Sequence, residues 1–244
     1  MSNSPAINKV SFQNKGQRID ATLISPQTLT TRVPGVIFFH GLTSSEKNYL
    51  PLAVELASHG IISLTVNLRG HASSEGTLNT LTIDDGFSDG EKAYEFLVSQ
   101  TGVDIDRIGV CGASLGGAIA ADLCSHKGVK SVVLRAPAIY STTLREWTYG
   151  QIMSREKEVF QDRVTNTDIP TWKILNNFRG CLLVIASEFD SIIPLSLSEK
   201  YVAEAPHVLK SKLVIIPGAT HQLVENAWKE QFRTQTIQWF VETL

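Results

Sequence analysis

The feature that most constrains this chain is Gly112-Ala113-Ser114-Leu115-Gly116, a G-x-S-x-G run set between two segments of different periodicity. Ile108 to Cys111, in front of it, is a short apolar run of strand type. Leu115 to His126, behind it, is rich in Ala and Gly, the composition of a helix packed closely under a sheet. A strand that passes into a helix within one residue requires a sharp turn, and the residues two places either side of its apex must lack bulk. Gly112 and Gly116 meet that requirement, and Gly117 extends the clearance. The serine at the apex is then either an exposed nucleophile or a residue that only caps the helix.

The rest of the chain repeats the same alternation. Ile7 to Phe12 and Ile19 to Ser25 predict a starting hairpin with its turn near Asn14-Lys15-Gly16. Val36 to Phe39, Ile61 to Val66, Arg107 to Cys111, Ser131 to Arg135, Cys181 to Ala186 and Lys212 to Ile216 read as further strands. Glu46 to His59, Asp84 to Ser99, Leu115 to His126 and Trp228 to Leu244 read as helices. Strands alternating with helices imply parallel pairing through right-handed crossovers. The expected fold is therefore α/β, a mostly parallel central sheet of about eight strands flanked by helices, in one domain over residues 1–244. One segment breaks the rhythm. Ala138 to Gly180 is too long for a simple connection and holds Trp147, Tyr149, Phe160 and Trp172 among mixed charges. It reads as a small helical cap insert.

Composition narrows the class. With 244 residues, 43% of them hydrophobic, the chain is long enough to bury a core without disulfides or metals. The net charge is −2 with no basic stripe, which argues against nucleic acid. The polar start from Met1 to Val10 lacks the core of a signal peptide, and no run of about 18 apolar residues suggests a membrane span. The three cysteines Cys111, Cys124 and Cys181 lie in apolar surroundings and read as reduced thiols. No H-x-H or H-E-x-x-H spacing occurs, so no metal is expected, and nothing in the sequence implies a cofactor. A cytoplasmic protein acting on a small molecule fits these features; oligomeric state leaves no trace in them.

The serine turn in its strand and helix context resembles the α/β-hydrolase superfamily, and the likeness extends over nearly the whole chain. The family order is Ser, then Asp or Glu, then His. After the strand ending at Ala186 comes Glu188-Phe189-Asp190, with Pro194 shortly beyond, and the resemblance assigns the acid to Asp190 with Glu188 as competitor. His221, on the loop after the last strand, takes the place of the base. His40-Gly41 follows Val36 to Phe39 as the family's oxyanion loop does, which implies backbone N–H donors at Leu42 and Leu115; the His40 side chain is expected only to shape the turn. Asn67-Leu68-Arg69-Gly70-His71 resembles a structural loop of the superfamily, with Ala72 where a glycine is usual. Val103 to Val110 is similar to the lead-in of dienelactone-hydrolase-like and prolyl-oligopeptidase-like members. A serine at the elbow argues against dienelactone hydrolases proper, which carry Cys, and haloalkane dehalogenases, which carry Asp. The resemblance implies cleavage of carboxylic esters through an acyl-enzyme. Thioesterase, small peptidase or amidase activity, and a non-catalytic binding protein on the same scaffold, are the alternatives. Trp147 and Trp172 are candidate pocket walls, or else they only pack the insert; the similarity to short-capped feruloyl-type esterases hints at aryl esters.

Overall fold

The computed structural model describes residues 4–244. Its first two strands, β1 (Ala6–Asn14) and β2 (Gln17–Ser25), form an antiparallel hairpin in which Asn14 faces Gln17. The two turn residues Lys15 and Gly16 have φ of 49° and 76°. Two left-handed residues in succession suit the twist of the flanking strands, which is why the turn is this tight. The chain continues through β3 (Val33–Phe39), α1 (Leu50–Ser58), β4 (Ile62–Val66), α2 (Ile83–Val98), β5 (Val103–Ala113), α3 (Leu115–Asp122) and β6 (Val129–Arg135). Four helices follow, α4 (Thr142–Arg145), α5 (Tyr149–Ser154), α6 (Glu156–Thr165) and α7 (Pro170–Asn177). The chain closes with β7 (Cys181–Phe189), α8 (Leu195–Ala203), β8 (Lys210–Thr220) and α9 (Asn226–Thr243).

The strands form one eight-stranded sheet in the order β1-β2-β4-β3-β5-β6-β7-β8. The pairs β1–β2 and β2–β4 are antiparallel and all others parallel. Successive residues of a strand point to opposite faces, and the central strands are apolar on both. In β3, Ile37 and Phe39 pack with α2 and α3, while Val36 and Phe38 pack with α1 and α9. In β7, Leu182 and Val184 join the first layer, and Leu183 and Ile185 the second. This is the continuous hydrophobic pattern expected of parallel strands covered on both sides.

Several details differ from the sequence reading. The helix expected from Glu46 begins at Leu50, after a single tight turn over Glu46–Asn48. Glu46 is buried and its carboxylate is taken up by Lys9 and Thr65, so tertiary contacts claim it. Strand β5 starts at Val103, four residues early, because Val33 extends the pairing there. The segment after β6 does fold into helices, but their buried side chains, Leu144, Tyr149, Ile152 and Leu175 among them, join the layer of α2 and α3. The loop after β4 is anchored as expected. Arg69, 1% exposed, pairs through Nε with Asp89 of α2 at 2.7 Å, and Asp89 also accepts from Asn14 of the hairpin. No helix among the described residues is long and apolar enough to cross a membrane.

Candidate active site

Ser114 sits between β5 and α3 at φ 51°, ψ −116°. A non-glycine residue held there carries about 1–3 kcal/mol of strain, and such strain persists only where the surroundings overdetermine it. They do so here. The Ser114 N–H donates to the Arg135 carbonyl at 3.0 Å, and its own carbonyl accepts from Ala118 and Ala138 at 3.1 and 3.0 Å. The flanking glycines are required by close approach. A Cβ on Gly112 would lie 1.9 Å from the Gly116 carbonyl oxygen, and one on Gly116 would lie 2.2 Å from that of Phe39. Any side chain at either position would push the helix start off the sheet.

The loop after β8 brings His221 to the same place. Its Nδ1 lies 2.7 Å from Asp190 Oδ2, and the other carboxylate oxygen accepts the N–H groups of Ile192 and Ile193 at 2.9 and 2.7 Å. Burial by itself raises the Asp190 pKa. The hydrogen bonds from His221 and the two backbone amides outweigh it, and the carboxyl is held below its ordinary value. An ionised Asp190 places the proton on Nδ1 and leaves Nε2 as an acceptor. Glu188, the competing acid, is used differently: it accepts the N–H of Gly218 at 2.7 Å and so braces the loop that carries His221. Among the described residues the Ser114 hydroxyl donates no hydrogen bond to His221. Such contacts are often long before substrate enters and tighten in the complex.

Both side chains line one cavity of about 570 Å³. Gly41 to Ser44 forms one wall, and a Cβ on Gly41 would touch that of Ser114 at 3.4 Å. Thr43, at φ 64°, turns this loop, closed by the Ser44 N–H to the Gly41 carbonyl at 3.1 Å. Neither the Leu42 nor the Leu115 N–H has an acceptor among the described residues. Leu115 also opens α3, so the helix dipole favours negative charge there. His40 plays no part in proton transfer. Its Nε2 accepts the Leu68 N–H at 3.1 Å, so Nδ1 carries the hydrogen and donates to the Gly41 carbonyl at 2.8 Å. Burial drives its pKa down to about 3.

The opposite wall comes from Gln222 to Val224 and from Lys229, Phe232 and Arg233 of α9, with Tyr49 and Arg135 deeper in. Trp147 and Trp172 are absent from the lining, which corrects the expectation that they wall the pocket. Trp172 packs edge-on against Tyr201 at 4.9 Å and Trp147 lies under Arg155. Among the described residues the 138–180 segment contributes no lining residue; Arg163 Nη1 links it to the acid loop through the Ile192 carbonyl at 3.4 Å. The sequence reading missed Arg135, although the signal was present: an arginine ends a strand otherwise made for burial, with no acid placed to pair with it. Cys111 and Cys124 are buried with their thiol pKa values pushed up, and Cys181 is half-buried; all three are free. Among the described residues no three His, Cys, Asp or Glu side chains converge as a metal site would require.

Three known proteins bear on this arrangement. The uncharacterized protein MT2364 of Mycobacterium tuberculosis is 28% identical over 197 residues, 80% of this chain; the chain spans 66% of that relative's length. The ferulic-acid-bound Est1E of Butyrivibrio proteoclasticus superposes with a TM-score of 0.76 at 16% identity, covering 96% of this chain and 98% of that one. A dienelactone hydrolase of Anabaena variabilis gives 0.71 at 19% identity, with 99% of each chain covered. These two likenesses establish the α/β-hydrolase fold. The model of the family described as serine aminopeptidase, S33, matches residues 34–172, which include Leu42, Ser114 and Leu115. That span is more than half of the sequence, and the chain belongs to this α/β-hydrolase family.

Proposed function

We propose that this protein is a serine hydrolase that cleaves carboxylic esters through an acyl-enzyme, with Ser114, His221 and Asp190 as its triad. The observation that carries the reading is the state of His221. Its Nδ1 is committed to an ionised Asp190, and its Nε2 is left as an acceptor in the cavity that also holds Ser114. In the first step His221 takes the Ser114 proton as Oγ attacks the ester carbonyl. The oxyanion that forms is received by the free N–H groups of Leu42 and Leu115. His221 then passes the proton to the leaving alkoxide, and the alcohol departs. Water, deprotonated by the same imidazole, releases the acid and restores Ser114.

Within its family the main competitor is an amide bond, above all that of a free N-terminal residue. An aminopeptidase must hold the ammonium of its substrate, which calls for a carboxylate near the nucleophile. Among the described residues no Asp or Glu lines this cavity, whereas Arg135, Lys229 and Arg233 do, and this supports the ester. The test is labelling by a fluorophosphonate probe, followed by turnover of matched esters, thioesters and aminoacyl amides. Labelling that is lost in Ser114→Ala, with esters turned over fastest, is the expected result. A protein that takes up no probe would be a binding protein on a hydrolase scaffold.

A further inference from the structure

Arg135 is the last residue of β6 and lies beside the nucleophile. Ala113 faces it across the β5–β6 pairing, and its carbonyl accepts the Ser114 N–H. Its side chain is buried, with the residue 7% exposed, yet it lines the cavity. A guanidinium stays charged when buried, and a buried charge is costly unless it is paired. Arg135 forms no ion pair among the described residues. Its Nη2 donates to the His221 carbonyl, its Nε is buried without an acceptor, and Nη1 has no hydrogen bond. Asp190 attracts it from beyond pairing distance but is occupied by His221. The other cations of the cavity differ. Arg233 is committed to Glu55 and Glu230, whereas Lys229, at the mouth, has no ionic partner among the described residues.

Resting on the esterase reading, we infer that Arg135, assisted by Lys229, binds an ionised carboxylate on the substrate, so that the preferred substrates are half-esters of short dicarboxylic acids. The missing partner of the buried guanidinium is then supplied by the substrate. Charge-assisted, planar pairing of this kind is what an arginine provides better than a lysine. The guanidinium donates to the backbone of His221, which stands beside the nucleophile in the same cavity, and this limits the spacer to a few methylenes. Lys229, exposed on α9, adds longer-range attraction.

The experiment compares monomethyl adipate with dimethyl adipate, which share chain length and scissile bond and differ in one charge. Wild-type kcat/KM should favour the half-ester. In Arg135→Gln that preference should fall by about 30-fold or more, the usual result of removing one partner of a desolvated charge pair. Arg135→Lys should restore part of it, and Lys229→Gln should lower it by a few-fold. Arg135 also holds the His221 carbonyl, so Arg135→Gln is expected to slow both esters; the ratio is the readout that a positioning role alone would not move. An unchanged ratio in the folded variant overturns the proposal. Calorimetry of adipate against adipamide on the wild-type protein gives an answer that needs neither turnover nor a folded Arg135 variant. Tighter binding of adipate, weakened by salt, supports the site even if neither ester is cleaved. Equal binding of the two overturns it even if esters are cleaved.

Discussion

The loops at the carboxyl ends of the strands and the helical 138–180 insert both follow strands, yet they do opposite things. The strand-end loops are short and are held by backbone. Ser114 is pinned by three main-chain hydrogen bonds, the Asp190 carboxylate by two amides, and the Leu42 turn by one. The insert is long, carries more aromatic surface, and spends it on packing against the α2 and α3 layer. Aromatic content therefore does not by itself mark a binding wall. A ring lines a cavity only if the chain places it on the cavity's side of the sheet, and here that side is formed with α1 and α9.

If this division is correct, changes in the strand-end loops should alter rate and changes in the insert should alter stability. The sharpest test is Ser114→Ala, expected to lower kcat on the order of 10⁶-fold while melting as the wild type does. Ester turnover within about 100-fold of wild type would remove Ser114 from the mechanism.

Asp190→Asn comes next. It keeps the shape of the acid but favours the wrong histidine tautomer, which costs about 10⁴ in kcat in a comparable triad. Glu188→Gln, two residues away, only weakens the hydrogen bond to Gly218, worth about 1 kcal/mol of stability. The two variants should be assayed side by side on one ester; if Glu188→Gln is the inactive one, the acid has been misplaced.

On the insert, Trp172→Ala should cost about 2 kcal/mol, since the ring is half-buried against Tyr201. That corresponds to a fall in Tm of roughly 4–8 °C for a chain of this size. Trp147→Ala should cost about 1 kcal/mol or less. In neither variant should the ratio of kcat/KM for a bulky aryl ester to that for an acetyl ester change. A fall in that ratio would show that the insert reaches the cavity in the working enzyme.

Outside both regions, a pH dependence of stability is expected from His40. In the unfolded chain it takes up a proton as pH falls through about 6.5; in the folded protein burial prevents this until pH approaches about 3. The stability it contributes is thus fully present above pH 6.5, is lost as pH falls, and levels off below pH 3. By pH 5 the loss is about 2 kcal/mol. His71, in ring contact with His40 and also lowered by burial, acts in the same direction. Thermal melts of the wild type at pH 7.5 and 5, repeated on His40→Gln, should show a dependence that the substitution flattens. Equal slopes in the two proteins would mean that His40 is more open to protons than its hydrogen bonds imply.

Much of the site was legible because it is written in local rules. Gly112 and Gly116 are needed wherever a strand turns into a helix at a serine, since the clash involves backbone a few residues away or at the next strand end. The Lys15-Gly16 turn follows from strand twist in the same way. His40 could be set aside from sequence, as a residue that only shapes a turn, and its two backbone contacts agree. Less was legible where long side chains and long segments were concerned. The sequence placed two carboxylates near His221, and only the folded loops show that Asp190 reaches the imidazole while Glu188 reaches Gly218. Glu46 read as the start of a helix, but Lys9, Thr65 and Asn67 hold it in a buried tertiary cluster.

By itself, then, the sequence determined the strands, most of the helices between them and the elbow at Ser114, because strand periodicity and Cβ exclusion act over a few residues; the helix Leu195–Ala203 went unread, and the loops of the other candidate residues followed from the family resemblance. Only the tertiary structure decided which face the insert covers, where Trp147 and Trp172 end, and that Arg135 is buried against the cavity with no ion pair among the described residues. Those outcomes depend on how segments far apart in the chain share the two faces of one sheet, and no local pattern encodes that division.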